Sequence, residues 1–205
     1  MSAPAGPPAG NTFDKYGSAN PVVRRLMAGF ERAAAELLDR AAPRSLLDVG
    51  CGEGVLTERW AARHAGCETV GVDLEDPTLK AHWAARAARA NLRFAPMGAE
   101  SLAFADGSFE LVAATEVLEH VADPRAALGE MARVAARWLL VSVPREPLWR
   151  ALNLARGAYV AQVGNTPGHL HHWTPGAFHR LLAAHGEIAC ARAPLPWTMV
   201  LVRVG

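Results

Sequence analysis

The sequence has no long apolar run, few cysteines and almost no net charge. No apolar stretch reaches the roughly 20 residues that a membrane-spanning helix needs, so no membrane span is expected. Residues 1–10 carry neither a basic segment nor an apolar core, and no secretory signal is predicted. Cys51, Cys67 and Cys190 are too few and too widely spaced for a disulfide framework, which favours a cytoplasmic protein. Lys plus Arg number 21 and Asp plus Glu number 20, a balance that disfavours binding to nucleic acid.

The composition is that of one globular unit. The chain has 205 residues, of which 51% are hydrophobic and 20% charged, enough to form a packed core. Its first residues are rich in proline, alanine and glycine and cannot bury enough surface to offset the entropy of ordering. We therefore expect a disordered tail over 1–12 and a single domain over 13–205, with the oligomeric state left open.

Short apolar runs alternate with amphipathic stretches through the middle of the chain. Strands are predicted at 45–49, 68–73, 91–95, 109–114 and 138–143, with helices at 53–65, 77–89 and 124–136. An N-terminal helix is predicted from Asn20-Pro21 to about Ala41, because apolar residues recur there at helical spacing. This alternation predicts an α/β fold: a doubly wound, Rossmann-like, mostly parallel sheet of seven strands with helices on both faces.

The last third of the chain breaks this alternation. Residues 144–173 form a long connection, which is typical of a lid or a binding loop. A helix from Thr174 to about His185 follows, and final strands at 187–192 and 198–204 are predicted to pair at the sheet edge. We predict that 144–173 is a lid insertion within the domain.

A glycine-rich turn follows the first predicted strand. Gly50, Gly52 and Gly54 alternate after Asp48, a G-x-G-x-G spacing that differs from the G-x-G-x-x-G of dinucleotide sites. The Asp48 carboxylate would repel a pyrophosphate and instead suits a ligand with a cationic amino or sulfonium group. At the end of the second strand, Asp73 can accept hydrogen bonds from both hydroxyls of a ribose.

These segments resemble the class I S-adenosylmethionine-dependent methyltransferases, in particular the group that includes the ubiquinone and menaquinone biosynthesis methyltransferases. The resemblance rests on four stretches: LLDVGCGEG (46–54), VGVDLED (70–76), AESLAFADGSFELV (99–112) and ATEVLEHVADP (114–124). It implies S-adenosylmethionine as the cofactor. The cofactor-binding residues that we predict are Asp48, Gly50, Cys51, Gly52, Gly54, Asp73, Leu74, Ala99, Glu100 and Thr115.

The same resemblance assigns these residues to parts of the cofactor. Asp48 and the glycines would surround the methionine part, Asp73 would hold the ribose, and Leu74 would pack on the adenine. Ala99 and Glu100 would lie at the edge of the adenine. The family often has Asp immediately before this pair, where the chain has Gly98, so backbone groups are expected to replace that side-chain contact.

Candidate catalytic groups follow the fourth predicted strand. If this stretch is helical, Glu116, Glu119 and His120 share one face, because residues three and four apart are neighbours on a helix. We predict acid–base roles for His120 and Glu116. Two alternatives remain open for this trio, a divalent-cation site and a purely structural role, and no metal is assigned.

A histidine cluster lies in the predicted lid. His169, His171 and His172 fall within four residues, and imidazoles bind metals, move protons or hydrogen-bond a polar substrate. We predict a substrate-binding lid in which one histidine faces the methyl acceptor, and His171 is the candidate catalytic residue. A solvated surface loop and a metal site shared with the carboxylates of the trio are the alternatives. Three tryptophans are candidates to line an apolar acceptor pocket, with packing in the core as the alternative for each: Trp149, Trp173 and Trp197.

The combined prediction is an enzyme that methylates a small molecule by in-line displacement. The expected reaction is O-methylation of a secondary metabolite, a quinone or a sugar. The alternatives are a metal-assisted RNA 2′-O-methyltransferase, which the near-neutral charge disfavours, an NAD(P)-dependent enzyme, which the glycine spacing disfavours, and a non-catalytic cofactor-binding module. The sequence does not identify the acceptor.

Overall fold

The structure is a computed structural model that describes residues 16–205, so the predicted tail over 1–12 lies outside the described residues. The helices in this range are α1 (Pro21–Ala41), α2 (Val55–Arg63), α3 (Pro77–Arg86), α4 (Pro124–Val134), α5 (Leu148–Ala155) and α6 (Pro175–Leu182), with a 3-10 turn at Val160–Gln162. The strands are β1 (Ser45–Val49), β2 (Glu68–Asp73), β3 (Leu92–Pro96), β4 (Phe109–Thr115), β5 (Ala135–Pro144), β6 (Glu187–Arg192) and β7 (Trp197–Arg203).

One seven-stranded sheet, in the order β3-β2-β1-β4-β5-β7-β6, forms the centre of the described residues. Strands β1 to β5 pair in parallel, whereas β7 runs antiparallel to both β5 and β6. The sheet is therefore mixed, and the prediction of a mostly parallel sheet is wrong. The physical reason is the short connection between β6 and β7, which permits a hairpin but not a parallel crossover.

Hydrophobic clusters cover both faces of the sheet. Side chains alternate along a strand, so Leu46 of β1 joins the cluster under α1 and α2 while Leu47 joins the cluster under α4 and α6. Both leucines are fully or almost fully buried. The central strands are thus covered on two sides, as expected for a doubly wound fold.

Most helices begin at the predicted signals. Asn20, Asp76, Asp123 and Thr174 each accept a hydrogen bond from a backbone N–H of the first turn, and a proline follows each of them. Several boundaries differ from the prediction. Helix α2 is two residues shorter at each end, and α3 and α6 each end three residues early. Helix α4 ends at Val134, two residues early, because β5 already begins at position 135 to pair with Phe109.

The predicted connection over 144–173 contains α5 and the 3-10 turn, two elements that the sequence analysis does not predict. Tyr159 and Val163, which flank the 3-10 turn, both have left-handed backbone conformations, with φ of 55° and 51°. Such conformations are strained for a β-branched residue. The lid role of this segment stays a prediction. No helix among the described residues combines the length and the apolarity needed to cross a bilayer.

Candidate active site

A cavity of about 1170 Å³ opens at the carboxyl ends of β1, β2 and β4. The order of the sheet reverses between β1 and β4, the place where open α/β sheets bind their ligands. The turn over residues 50–54, called the glycine loop here, and the end of β2 line one half of the cavity, and α1 and α5 line the other. All the predicted cofactor-binding residues except Gly54 line this cavity.

The backbone of the glycine loop adopts a conformation that residues with a side chain rarely adopt. Gly50, Gly52 and Gly54 all have positive φ, of 72°, 55° and 76°. A Cβ at Gly50 would lie 2.4 Å from a methyl group of Val117, so the loop closes against the segment after β4. A Cβ at Gly54 would lie 2.6 Å from the Phe94 ring. Gly54 therefore allows α2 to pack against β3 and does not face the ligand.

Asp73 joins the glycine loop to the end of β2. Its Oδ2 accepts the N–H of Gly52 at 2.7 Å, and its Oδ1 accepts the N–H of Leu74 at 2.7 Å. Burial raises the pKa of Asp73, and these two bonds act in the opposite direction. The indole of Trp83 donates to the carbonyl of Gly52 at 2.8 Å, which holds the loop from its other side.

Asp48 is a buried carboxyl group at the floor of the cavity. It is 2% exposed and accepts a hydrogen bond from Thr57 Oγ1 at 2.6 Å. Burial raises the pKa of Asp48 to about 7, the Thr57 bond opposes this shift, and the charge of Asp73 adds to it. Burial also raises the pKa of the Cys51 thiol, so Cys51 is a neutral neighbour. A cationic ligand group would favour the ionised form of Asp48.

The predicted adenine end is more open. Leu74 is 40% exposed, and Ala99 and Glu100 line the cavity beside it. Glu100 Oε1 accepts the backbone N–H of Asp123 at 2.8 Å, so this carboxylate also holds the start of α4.

The segment after β4 is a turn and not a helix. Glu116 has a left-handed backbone with φ of 62°, which breaks the helical arrangement that would place the predicted trio on one face. Glu116 lines the cavity, and its Oε2 accepts the indole N–H of Trp197 at 2.5 Å. Glu119 instead points into the protein and is 1% exposed.

His120 lines the cavity with a defined tautomer. Its Nδ1 lies 2.9 Å from the carbonyl oxygen of Gly168. A carbonyl only accepts hydrogen bonds, so Nδ1 carries the hydrogen and Nε2 of the neutral ring keeps its lone pair. The His169 ring meets the His120 ring edge to face, with 4.8 Å between centroids. Glu119, His120 and His169 each offer a ligand atom, and these atoms lie within 4.8 Å of one another.

The histidine cluster is divided between the cavity and the surface behind it. His169 is buried and lines the cavity. His171, which the sequence analysis names as the candidate catalytic residue, is not in the cavity wall: its Nε2 bonds the carbonyl of Val121 at 3.1 Å and its ring stacks on Trp173. His172 bonds Asn165 at 2.7 Å. The sequence signal locates the cluster but not the histidine that faces inward.

The second half of the cavity has an aromatic and apolar wall. The rings of Phe30 and Trp197 lie 4.9 Å apart, those of Trp197 and Trp149 5.8 Å, and those of Trp149 and His169 5.9 Å. Trp149 and Trp197 thus occupy the predicted pocket, whereas Trp173 does not line it. Helix α1 adds apolar side chains that the sequence analysis assigns only to the fold: Val22, Val23, Leu26 and Met27.

Comparison with known proteins identifies relatives of this arrangement. The methyltransferase-domain family matches residues 47–137. A ubiquinone biosynthesis O-methyltransferase of Methylococcus capsulatus is 38% identical over 96 residues, 46% of this chain and 40% of that protein, so the match spans less than half of that relative. One of Cereibacter sphaeroides is 30% identical over 175 residues, 80% of this chain and 68% of that protein. The crystal structure of magnesium protoporphyrin IX methyltransferase from Synechocystis, with bound S-adenosylhomocysteine, shares the fold at a TM-score of 0.67 and 18% identity. The match covers 92% of this chain and 90% of that chain.

Proposed function

Because this chain belongs to the class I S-adenosylmethionine-dependent methyltransferases, we propose that it transfers the methyl group of S-adenosylmethionine to an oxygen of a small, largely apolar acceptor. One observation carries this proposal: a single cavity combines two halves and a candidate base. Asp48, Asp73 and the glycine loop line one half, aromatic side chains line the other, and His120 lines the same cavity.

The half of the cavity that contains Asp48, Asp73 and the glycine loop suits the cofactor. Asp48 offers a buried carboxylate to the amino or sulfonium group of the methionine part. Asp73 is fixed by two backbone N–H groups and keeps further lone pairs for the ribose hydroxyls. The positive φ angles at Gly50 and Gly52 favour glycine at both positions, so the loop contributes backbone without side chains to the cavity wall there.

The reaction needs positioning and the removal of one proton. The acceptor oxygen attacks the methyl carbon, the carbon–sulfur bond breaks, and S-adenosylhomocysteine leaves as a neutral thioether. The acceptor proton passes to Nε2 of His120, whose other nitrogen is held by Gly168. Positioning contributes about 7–11 kcal/mol to lowering the barrier, and a general base adds roughly 10²–10⁴ in rate.

Calorimetry tests the cofactor half of the proposal. S-adenosylhomocysteine is expected to bind the wild type, and Asp73→Ala is expected to weaken that binding by tenfold or more. Glu75→Gln, one of the surface carboxylates near the same strand, is the matched control and should bind like the wild type. Binding of NADH without binding of S-adenosylhomocysteine would contradict the proposal.

Methyl transfer to a probe tests the chemical half. With labelled S-adenosylmethionine, the wild type is expected to methylate an oxygen of catechol, and His120→Gln is expected to lose about 100-fold in turnover at unchanged cofactor affinity. Transfer only to the nitrogen of aniline, or no transfer to either probe, would argue against an oxygen acceptor.

A second candidate mechanism uses a divalent cation. The ligand atoms of Glu119, His120 and His169 form a one-carboxylate, two-imidazole set that suits Zn²⁺, Mn²⁺ or Fe²⁺. A bound cation would polarise an acceptor hydroxyl and favour its deprotonation. In that case His120 is a ligand and not a base, so EDTA should abolish turnover and added Mn²⁺ should restore it. Full turnover in the presence of EDTA would contradict the metal mechanism and favour the metal-free one.

A further inference from the structure

We propose that Arg156 binds an anionic group of the acceptor, so that the acceptor is an amphiphile with a carboxylate or phosphate at one end and the reacting hydroxyl at the other. This inference rests on the proposed function, since it names the class of acceptor for the same cavity. Arg156 follows α5 and lines the half of the cavity that is formed by α1 and α5.

Arg156 is exposed, and a side-chain network centred on the buried Asn153 holds it in place. Asn153 is 4% exposed, and its Oδ1 accepts from Arg156 Nε at 3.1 Å and Nη2 at 2.8 Å. The Asn153 amide donates to the carbonyl of Gly164 at 2.8 Å and to Thr166 Oγ1 at 3.2 Å. Thr166 Oγ1 also accepts the indole N–H of Trp149 at 2.9 Å. The guanidinium is therefore positioned by groups that also form the cavity wall.

The guanidinium has donors left for a ligand. Arginine carries five N–H groups, and Asn153 accepts from two of the nitrogens, which leaves three N–H groups. Among the described residues, no ion pair connects Arg156 to a carboxylate, although other arginines of the chain have such pairs. Its guanidinium carbon lies 5.9 Å from the centre of the Tyr159 ring, a second contact that limits its motion.

The charges around the cavity determine the orientation in which an anionic acceptor would bind. Within the described residues, Arg156 is the one lysine or arginine that lines it. The acidic side chains of the lining belong to the end of β1, the glycine loop, the end of β2, the predicted adenine edge and the turn after β4: Asp48, Glu53, Asp73, Glu100 and Glu116. An oxyanion is repelled by these carboxylates and attracted by Arg156. The apolar body then lies along the aromatic wall, with the hydroxyl directed to His120.

The same distribution argues against an RNA acceptor. An RNA strand brings several phosphates and needs several cationic side chains along its path. A single arginine beside an aromatic wall instead fits one oxyanion on an apolar molecule. Bidentate pairing of a guanidinium with a carboxylate or phosphate also adds geometric selectivity.

Three probes that share one octylphenyl body test the proposal. These are 4-octylbenzoate, the neutral 4-octylbenzamide and 4-octylphenyl phosphate, each titrated by calorimetry into the protein saturated with S-adenosylhomocysteine and into the ligand-free protein. The benzoate is expected to bind tenfold or more tighter than the benzamide. In Arg156→Gln this preference should fall to threefold or less, whereas affinity for the benzamide and for S-adenosylhomocysteine should not change.

A neighbouring arginine provides the control. Arg150 lies on α5, donates its Nε–H to the carbonyl of Val163, and does not line the cavity. Arg150→Gln should keep the preference for the benzoate, and Arg156→Lys should keep part of it. Tighter binding of the phosphate than of the benzoate would identify a phosphate acceptor.

The outcomes separate this inference from the proposed function. Equal binding of benzoate and benzamide, no binding of either, or a preference that survives in Arg156→Gln would overturn the role of Arg156. Failure of S-adenosylhomocysteine to bind would overturn the proposed function instead. The titrations into ligand-free protein would still report the charge preference in that case.

Discussion

The effect of Asp48→Asn on the free energy of unfolding is expected to change sign as the pH rises, from destabilising to stabilising. In the folded protein burial raises the pKa of Asp48 to about 7, whereas in the unfolded chain its pKa is about 3.9. Between these values the unfolded chain releases the proton and the folded protein keeps it. Asp48 therefore lowers the free energy of unfolding progressively from about pH 4 to pH 7, and the loss is complete above pH 7.

The magnitude follows from the size of the shift. Three pH units at about 1.36 kcal/mol each give a loss of about 4 kcal/mol at pH 8. Asparagine does not titrate and keeps an oxygen for the Thr57 hydroxyl, but its NH₂ group replaces Oδ1, which has no hydrogen-bond partner among the described residues. Burying that unpaired amide costs about 1–3 kcal/mol. The variant should thus be less stable than the wild type at pH 4.5 and more stable at pH 8.

Urea denaturation of both proteins at pH 4.5, 6 and 8 measures this reversal. The difference between their free energies of unfolding should change by about 3 kcal/mol across the range. Thr57→Val removes the bond that lowers the pKa of Asp48, so in this variant the loss of stability should continue to higher pH than in the wild type. Parallel curves for wild type and Asp48→Asn would show that Asp48 does not titrate in this range and refute the reasoning.

Three further substitutions have expected outcomes. Gly52→Val places a β-branched residue at φ of 55° and should abolish binding of S-adenosylhomocysteine in calorimetry while circular dichroism keeps its folded signal. Phe178→Ala removes a fully buried ring of α6 and should cost about 3–5 kcal/mol in urea denaturation. Gly164→Ala would bring a Cβ to 2.4 Å from the carbonyl oxygen of Arg150 and should increase hydrogen exchange across 144–173 more than across the sheet.

Local signals predict the elements of this fold better than their pairing. Asp123 and the following proline mark the start of α4 correctly, because a helix cap is a short-range interaction. The placement of β7 between β5 and β6 is a long-range outcome. Trp197 to Arg203 has the same apolar character as a parallel central strand, and only the length of the connection before it determines its antiparallel direction.

The site shows the same division between local and distant information. The positions of Gly50 and Asp73 follow from the ends of adjacent strands, and both line the cavity. His169 and His171 are two residues apart in one loop, and nothing in their order reveals which faces inward. The carbonyl of Val121, fifty positions away in the chain, bonds His171 and leaves His169 to the cavity.

The arrangement of charges links the stability of the protein to its ligands. Asp48 costs folding free energy because it is a carboxyl group buried without a cation, and Arg156 is a cation without a carboxylate among the described residues. Both residues line the cavity, and among the described residues no ion pair joins them. A cofactor with a cationic group would complement Asp48, and an anionic acceptor would complement Arg156. Each ligand should therefore raise the thermal stability by an amount that its own charge partner controls: Asp48→Asn should reduce the shift caused by S-adenosylmethionine, and Arg156→Gln that caused by 4-octylbenzoate. If both substitutions reduced both shifts equally, the two charges would act as one site and the division of the cavity into a cofactor half and an acceptor half would be wrong.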